Sequence, residues 1–413
     1  MSTRKILWLT ILAAFAALIV FYMEFQYSNR VEESTEENTD VIRILAPYET
    51  KMHQQILQQV AKEYSRADGM PRFVFEFVPK ENIKKELSMR SLAGKGKVDA
   101  VICDNTLMPE LIEMGMLKEL FINRDIELRL KKSQMWFSTR KDGKTYGIPF
   151  TCDPYVLFYR KDTLAQNNQE VPVTWEELIR CGRAIQKSGV KSIGIAGKRP
   201  DETARLYQLM LYSMGGNFRG ISQETGVEVF DAFRKMARQS LISKDMMNYT
   251  QEDLAREFAE GKISMMINQM STASILRTSQ ISFSVGMARI PDDIAGGVFL
   301  YGENIGLTVD ADSRTWDFIM YLMEPDVSER ICNAMDTLPV FENVEYQENK
   351  KIYLEEGTDL LEDARLLESY ISWTQMSETI ADGVYQVVEN NQVNTQQVAG
   401  EVHELVRAAI MAG

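Results

Sequence analysis

A chain of 413 residues, 45% of them hydrophobic, exceeds what one hydrophobic core ordinarily organises, so two domains or lobes are expected. A formal charge of −13 with no basic stripe argues against a nucleic-acid partner. Two histidines leave little material for a Ser-His-Asp triad or a multi-histidine metal centre, and Cys103, Cys152, Cys181 and Cys332 match no zinc or CxxC spacing. Neither a cofactor, a metal nor an enzymatic activity is expected.

Residues 1–23 are a separate physical object. Arg4 and Lys5 precede an uncharged apolar run over 6–23, long enough to cross hydrocarbon, while the far flank carries Glu24, Glu32, Glu33, Glu36, Glu37 and Asp40. The lysine/arginine bias therefore keeps the N-terminus in the cytoplasm and sends the rest of the chain outside. This reads as an uncleaved signal-anchor, a single-pass transmembrane helix. A cleaved signal peptide, which would leave the protein secreted, is the competing reading, although Ala14-Phe15-Ala16 lies mid-run with five large apolar residues still to come. Residues 24–40 are polar and acidic, a flexible stalk.

Beyond the stalk, 41–46 alternates and is β-branched, 52–64 has helical spacing, 73–78 is a strand, 83–92 a helix, and 98–103 a short apolar strand ending at Asp104-Asn105. Strands alternating with helices predict an α/β chain with a mostly parallel, doubly wound sheet, whose ligands bind beyond the carboxyl ends of strands. Two such ends carry polar groups, Pro47-Tyr48-Glu49-Thr50 and Asp104-Asn105-Thr106. Capping of the following helices explains those residues equally well. The stretch 178–276 is helix-rich, with a short strand at 192–195 and a turn at Gly215-Gly216-Asn217, and forms a second lobe. Strand character resumes at 285–290 and 302–309, and helices follow at 314–324, at 327–335 and from 359 to the end. Trp175 follows Thr174, a ready N-cap, and precedes Glu176-Glu177 at a helix start, which points to packing.

The run Asp142-Gly143-Lys144-Thr145-Tyr146-Gly147-Ile148-Pro149-Phe150, continuing to Leu157-Phe158-Tyr159-Arg160-Lys161-Asp162 and then Pro172 and Thr174-Trp175-Glu176-Glu177-Leu178, resembles the "dGKxYGiPf…xLxYNKdlf…P-x-TWdEl" signature of family 1 extracellular solute-binding proteins of the sugar type. Looser matches at 111–120, 258–268 and 302–309 follow in family order, so the resemblance covers nearly everything after residue 41. Arg160 departs from it, where the family has Asn, and so does Gln269-Met270-Ser271, where sugar-binding relatives have Gly-x-Trp.

The resemblance implies two α/β lobes hinged about crossing strands, the first built from 41–152 plus 285–340 and the second from 153–284 plus 341–413. The crossings are expected near 150–153, 283–285 and 338–341. It places Glu49, Asp104, Asn105 and Asp153 where relatives bind sugar hydroxyls, with Tyr48, Tyr155, Tyr301 and Trp373 as stacking platforms. Asn217, Asn268, Gln269 and Asn304 are secondary candidates, for which turn and cap roles compete. The implied function is extracytoplasmic capture of a small polar ligand, a carbohydrate above all, and its delivery to the permease of an ABC importer. A membrane-anchored sensor working with a kinase or chemoreceptor is the alternative. A glycosidase using Asp104 and Asp153 as its carboxylate pair is a remote third reading.

Overall fold

The computed structural model of the chain describes residues 40–66, 69–94, 96–130, 134–186, 190–294, 299–340, 365–390 and 392–412. The expected anchor and all of the stalk but Asp40 lie outside the described residues. Among those described, no helix is long and apolar enough to cross a membrane.

Nine main strands build two sheets: β1 (Val41–Ala46), β2 (Arg72–Phe77), β3 (Ala100–Asp104), β4 (Ile148–Cys152), β5 (Tyr155–Arg160), β6 (Lys191–Gly194), β7 (Ile263–Gln269), β8 (Val285–Arg289) and β9 (Gly302–Leu307). The first sheet has the order β2-β1-β3-β9-β4 and the second the order β8-β5-β7-β6. Helices Lys51–Tyr64 and Ile83–Ala93 connect β1 to β2 and β2 to β3, so these three strands run parallel, with β1 and β2 in register from Val41↔Arg72 to Ala46↔Phe77. All five residues of β3 are buried, as expected for a strand covered by helices on both faces.

The two-lobe α/β architecture implied by the resemblance is present, with two corrections. β9 runs antiparallel to both β3 and β4, and in the second sheet β5 is antiparallel to β7 and to β8, so the sheets are mixed rather than mostly parallel. The expectation that the first lobe resumes at 285 also fails, because β8 pairs with β5 along its whole length, Val285↔Arg160 to Arg289↔Val156. The chain returns to the first sheet only at β9. Strand character was visible at 285–290 and at 302–309 alike, but nothing in either run says which sheet accepts it.

The lobes meet where β4 gives way to β5. Cys152 and Leu338 exchange backbone hydrogen bonds of 2.9 and 2.7 Å, and the Asp153 N–H donates to the Tyr301 carbonyl at 2.6 Å. Three chain segments thus converge on two adjacent residues, a narrow pivot suited to hinge motion.

Two sequence expectations about packing hold. Thr174 caps the helix Trp175–Ile185 by accepting from the Glu177 N–H, and the buried Trp175 indole donates to Ser213 Oγ at 2.7 Å. Arg160, the departure from the family pattern, ends β5, where it pairs with Asp162 at 2.8 Å, donates to the Gly261 carbonyl and covers the Phe283 ring. All four cysteines are buried, and none forms a disulfide.

Candidate functional site

In a sheet whose parallel strands point the same way, the loops at their carboxyl ends gather on one edge. Here that edge carries Pro47–Thr50 after β1, Lys80 after β2, Asp104 at the end of β3 and Asp153 after β4. Antiparallel β9 brings its beginning, Tyr301 and Glu303, to the same edge, with Glu303 directly opposite Asp104. The second lobe answers with Arg199 and Glu202 from the start of the helix Pro200–Ser213, Gln251 and Glu252 from the start of the helix Gln251–Ala259, and Gln269, Ser271 and Thr272 at and just after the end of β7. Between the two walls lies a cavity of ≈ 70 Å³. That holds a few waters but falls well short of the roughly 300–1,000 Å³ usual for ligand pockets, so the lobes are closed on each other.

Ion pairs across the gap hold this closure. Lys80 Nζ, from the first lobe, lies 3.2 Å from Asp104 and 2.7 Å from Asp201 of the second, and donates to the Tyr301 hydroxyl at 2.5 Å. Arg199, from the second lobe, reaches Glu49 at 2.5 Å and Glu81 at 3.1 Å in the first, and Glu202 at 3.3 Å and Glu252 at 3.6 Å in its own. Arg205, fully buried, donates to Thr106 Oγ1 across the gap at 2.9 Å and to Asp201 at 2.7 Å. Burial works against the Lys80 ammonium, yet Asp201, Tyr301 and Asp104 together raise its pKa well above the usual lysine range. Burial likewise opposes the Asp201 carboxylate, and Arg205 and Lys80 override it, holding the group well below the usual carboxylate range.

Six of the twelve sequence candidates line the cavity: Tyr48, Glu49, Asp104, Asp153, Gln269 and Tyr301. Asp104 braces the turn before the helix Met108–Glu113 rather than capping that helix: its Oδ1 accepts from the Thr106 and Leu107 N–H groups, while Oδ2 faces Lys80. Asp153 accepts from the Ser271 N–H at 2.8 Å. Burial and the nearby Glu303 push the Asp153 carboxyl up to about 8. Glu303, which accepts from the Thr151 hydroxyl, is pushed up by burial to about 7, and Glu202 by burial to about 8.

The other six lie elsewhere. Asn105 is fully buried at the end of β3, its N–H donating to the Gly302 carbonyl. Tyr155 is buried beneath the cavity, accepting from Gln251 at 2.7 Å with its ring edge-on to Tyr301. Asn217 is exposed and caps the turn Phe218–Gly220. Asn268 donates to the Gln251 carbonyl and Asn304 to Ser138, both fully buried. Trp373 is buried at the start of the helix Trp373–Glu389 and donates to Asp201 at 2.6 Å. Two of the four expected stacking rings are covered by cations: Arg205 lies 4.2 Å from the Tyr301 ring and 5.2 Å from that of Trp373, and Lys80 sits 4.9 Å from Tyr301. On those two rings, where a sugar was expected to stack, the protein's own cations lie instead.

Sequence reasoning missed Lys80, Arg199, Asp201, Glu202, Arg205, Gln251, Glu252 and Glu303. Only Asp201 and Arg205 carried a usable signal, an acid and a base four residues apart at a helix start. The others are single polar residues: Lys80, Arg199 and Glu303 meet partners more than a hundred positions away, at Asp201, Glu49 and Thr151, and Gln251 and Glu252 meet Tyr155 and Arg199 from other elements of the second lobe, where Glu202 also pairs with Arg199. Among the described residues no three acidic, imidazole or thiol groups converge as a metal site would require.

Comparisons with known proteins agree with this geometry. Residues 60–353 match the model of the family described as bacterial extracellular solute-binding protein. A binding protein of Brucella abortus (strain 2308) is 23% identical over 356 residues, covering 80% of this chain and 84% of its own length. Maltose-bound MalE3 of T. maritima superposes with a TM-score of 0.78 at 18% identity, over 89% of this chain and 99% of its own. A solute-binding protein of Thermotoga lettingae bound to α-D-tagatose gives 0.77 at 18% identity, over 90% and 100%. One of Agrobacterium radiobacter with ribitol gives 0.73 at 15% identity, over 89% and 98%. At these identities the structural likeness establishes the fold.

Proposed function

Because the chain belongs to the bacterial extracellular solute-binding proteins, we propose that it captures a small polyhydroxylated ligand between its lobes on the outer side of the membrane and delivers it to an ABC importer. The observation that carries this reading is the interlobe cavity, walled by carboxyl and amide groups at strand ends and centred on a three-segment pivot. Structures of the same fold bound to maltose, tagatose and ribitol support a carbohydrate or polyol as ligand class. The covered rings of Tyr301 and Trp373, and Ser271 where sugar-binding relatives have tryptophan, favour a compact ligand over a linear oligosaccharide. The ligand enters when the ion pairs of Lys80 and Arg199 open, and the lobes reclose over it. Asp104, Asp153 and Gln269 would accept or donate hydrogen bonds to its hydroxyls.

The apolar run over 6–23 supports a membrane tether, with the binding domain outside the cell. That same tether favours the second reading, a sensor partnered by a kinase or chemoreceptor, since tethering to a partner needs no diffusion. Thermal-shift measurements of the full-length protein against hexoses, pentoses and polyols test the main reading, because a ligand that binds only the folded state raises the melting temperature. No shift with any carbohydrate overturns it. Deleting the partner permease separates the two: loss of labelled-ligand uptake is expected, whereas unchanged uptake together with a lost transcriptional response would establish sensing.

A further inference from the structure

Charge around the cavity is unbalanced. Among the described residues that line it, six are acidic, Glu49, Asp104, Asp153, Glu202, Glu252 and Glu303, two are cationic, Lys80 and Arg199, and the imidazole of His53 is buried against Ser274 Oγ. Both cations are already shared: Lys80 between Asp104 and Asp201, and Arg199 among Glu49, Glu81, Glu202 and Glu252. Asp153 and Glu303 are buried, 3% and 8% exposed, and neither forms an ion pair among the described residues; their partners are the Ser271 N–H and the Thr151 hydroxyl. A third group points to something missing: Glu202 is 4% exposed, and its Oε2 has no hydrogen-bond partner although the residue lines the cavity.

A neutral sugar would leave these carboxyls facing one another in a closed, largely dry space. Buried like charges can avoid that cost only by taking up protons, which is the state that burial imposes on Asp153 and Glu303 here, reinforced by Glu303 beside Asp153 and by Asp104 beside Glu303. A ligand that brings its own positive charge removes the cost instead. A metal ion is the less suitable candidate, since no three ligating groups converge among the described residues. An ammonium group, small and able to donate up to three hydrogen bonds, matches carboxyls spread around one cavity.

We propose that the ligand carries a protonated amine, as an amino sugar or a comparable polyhydroxylated amine does, and that Asp153 and Glu303 receive that amine at the cavity floor while the remaining polar wall takes the hydroxyls. The inference rests on the carbohydrate-capture reading and narrows it. Binding then discharges protons from the two carboxyls, so affinity rises with pH up to the point where the ligand amine itself titrates. The groups facing this pair include Asp104 beside Glu303, Cys103 of β3, Lys80 from the turn after β2, Tyr48 from the loop after β1 and Cys152 of β4. Of these, Lys80 is the one cation, and it is already paired with Asp104 and Asp201.

Calorimetric titration of the full-length protein with glucosamine, galactosamine and mannosamine, each beside its parent hexose and its N-acetyl derivative, tests this. At least one amine is expected to bind about ten-fold or more tightly than both neutral counterparts. That preference should widen between about pH 5.5 and pH 7.5 and vanish in D153N/E303Q. The amide variant keeps the shape of the protonated carboxyls, and its melting curve verifies folding. Tight binding of a neutral or acidic sugar with no preference for any amine overturns the amine proposal and leaves carbohydrate capture standing. An amine preference that survives unchanged in the folded double variant overturns the assignment to Asp153 and Glu303. Silence toward every compound of the panel overturns both readings.

Discussion

The mouth and the floor of the interlobe cavity treat charge in opposite ways. At the mouth, Arg199 and Lys80 each engage carboxylates from both lobes, and behind them the fully buried Arg205 joins Asp201 to Thr106 across the gap. On the floor, Asp153 and Glu303 have hydrogen bonds but no ion pair among the described residues, and Lys80 acts on them only from a distance. Paired charges spanning two rigid bodies set which conformation the bodies adopt, whereas buried carboxyls without an ion pair hold protons that a cationic ligand can displace. The difference between the regions separates what closes this protein from what it selects.

The sharpest way to break that contrast is at Arg205. Its guanidinium is fully buried between Asp201 and the rings of Tyr301 and Trp373, so Arg205→Met leaves the Asp201 carboxylate short of a partner. Loss of about 3–5 kcal/mol in chemical denaturation is expected. A loss below about 1 kcal/mol would mean that the site relaxes without it.

The floor responds to pH. Asp153 and Glu303 have folded-state pKa values of about 8 and about 7, above the 3.8 and 4.5 of the free side chains, so the folded state holds protons that the unfolded chain has released. Stability of the ligand-free protein therefore falls as pH rises from about 5 to about 8, and D153N/E303Q flattens that decline, overtaking the parent near the upper end. Melting curves at several pH values check this; parallel curves for parent and variant would return the two carboxyls to ordinary behaviour.

The mouth makes a smaller demand on stability and a larger one on shape. Arg199→Ala removes a partly exposed network, so under about 1 kcal/mol is lost. Small-angle scattering should nonetheless record a larger radius of gyration without ligand, as the lobes part. An unchanged radius would show that Lys80 and Arg205 hold the closure alone.

Least affected is Asn217, exposed and engaged in capping the turn Phe218–Gly220. Asn217→Ala is expected to cost about 0.5–1 kcal/mol and to leave ligand affinity untouched. A change in affinity would return this residue to the binding surface, from which the structure separates it.

Much of this molecule was decided locally. The alternation of 41–46, the helical spacing after it and the buried run of β3 specify their elements because side-chain period and backbone period must match, and the observed bounds differ from expectation by one or two residues. Polar residues at strand ends were legible for the same reason: a strand that stops at Asp104 or enters a turn at Asp153 must put that residue at the sheet edge. What tertiary structure alone decided is pairing. Whether 285–289 joins the second sheet, whether Tyr301 and Trp373 face a ligand or Arg205, and whether Glu303 stands opposite Asp104 all depend on which surfaces meet when two lobes fold together. The energy of a contact depends on distance in space, and residues such as Lys80 and Asp201, 2.7 Å apart across the cleft, are separated along the chain by more than a hundred positions that carry no record of it.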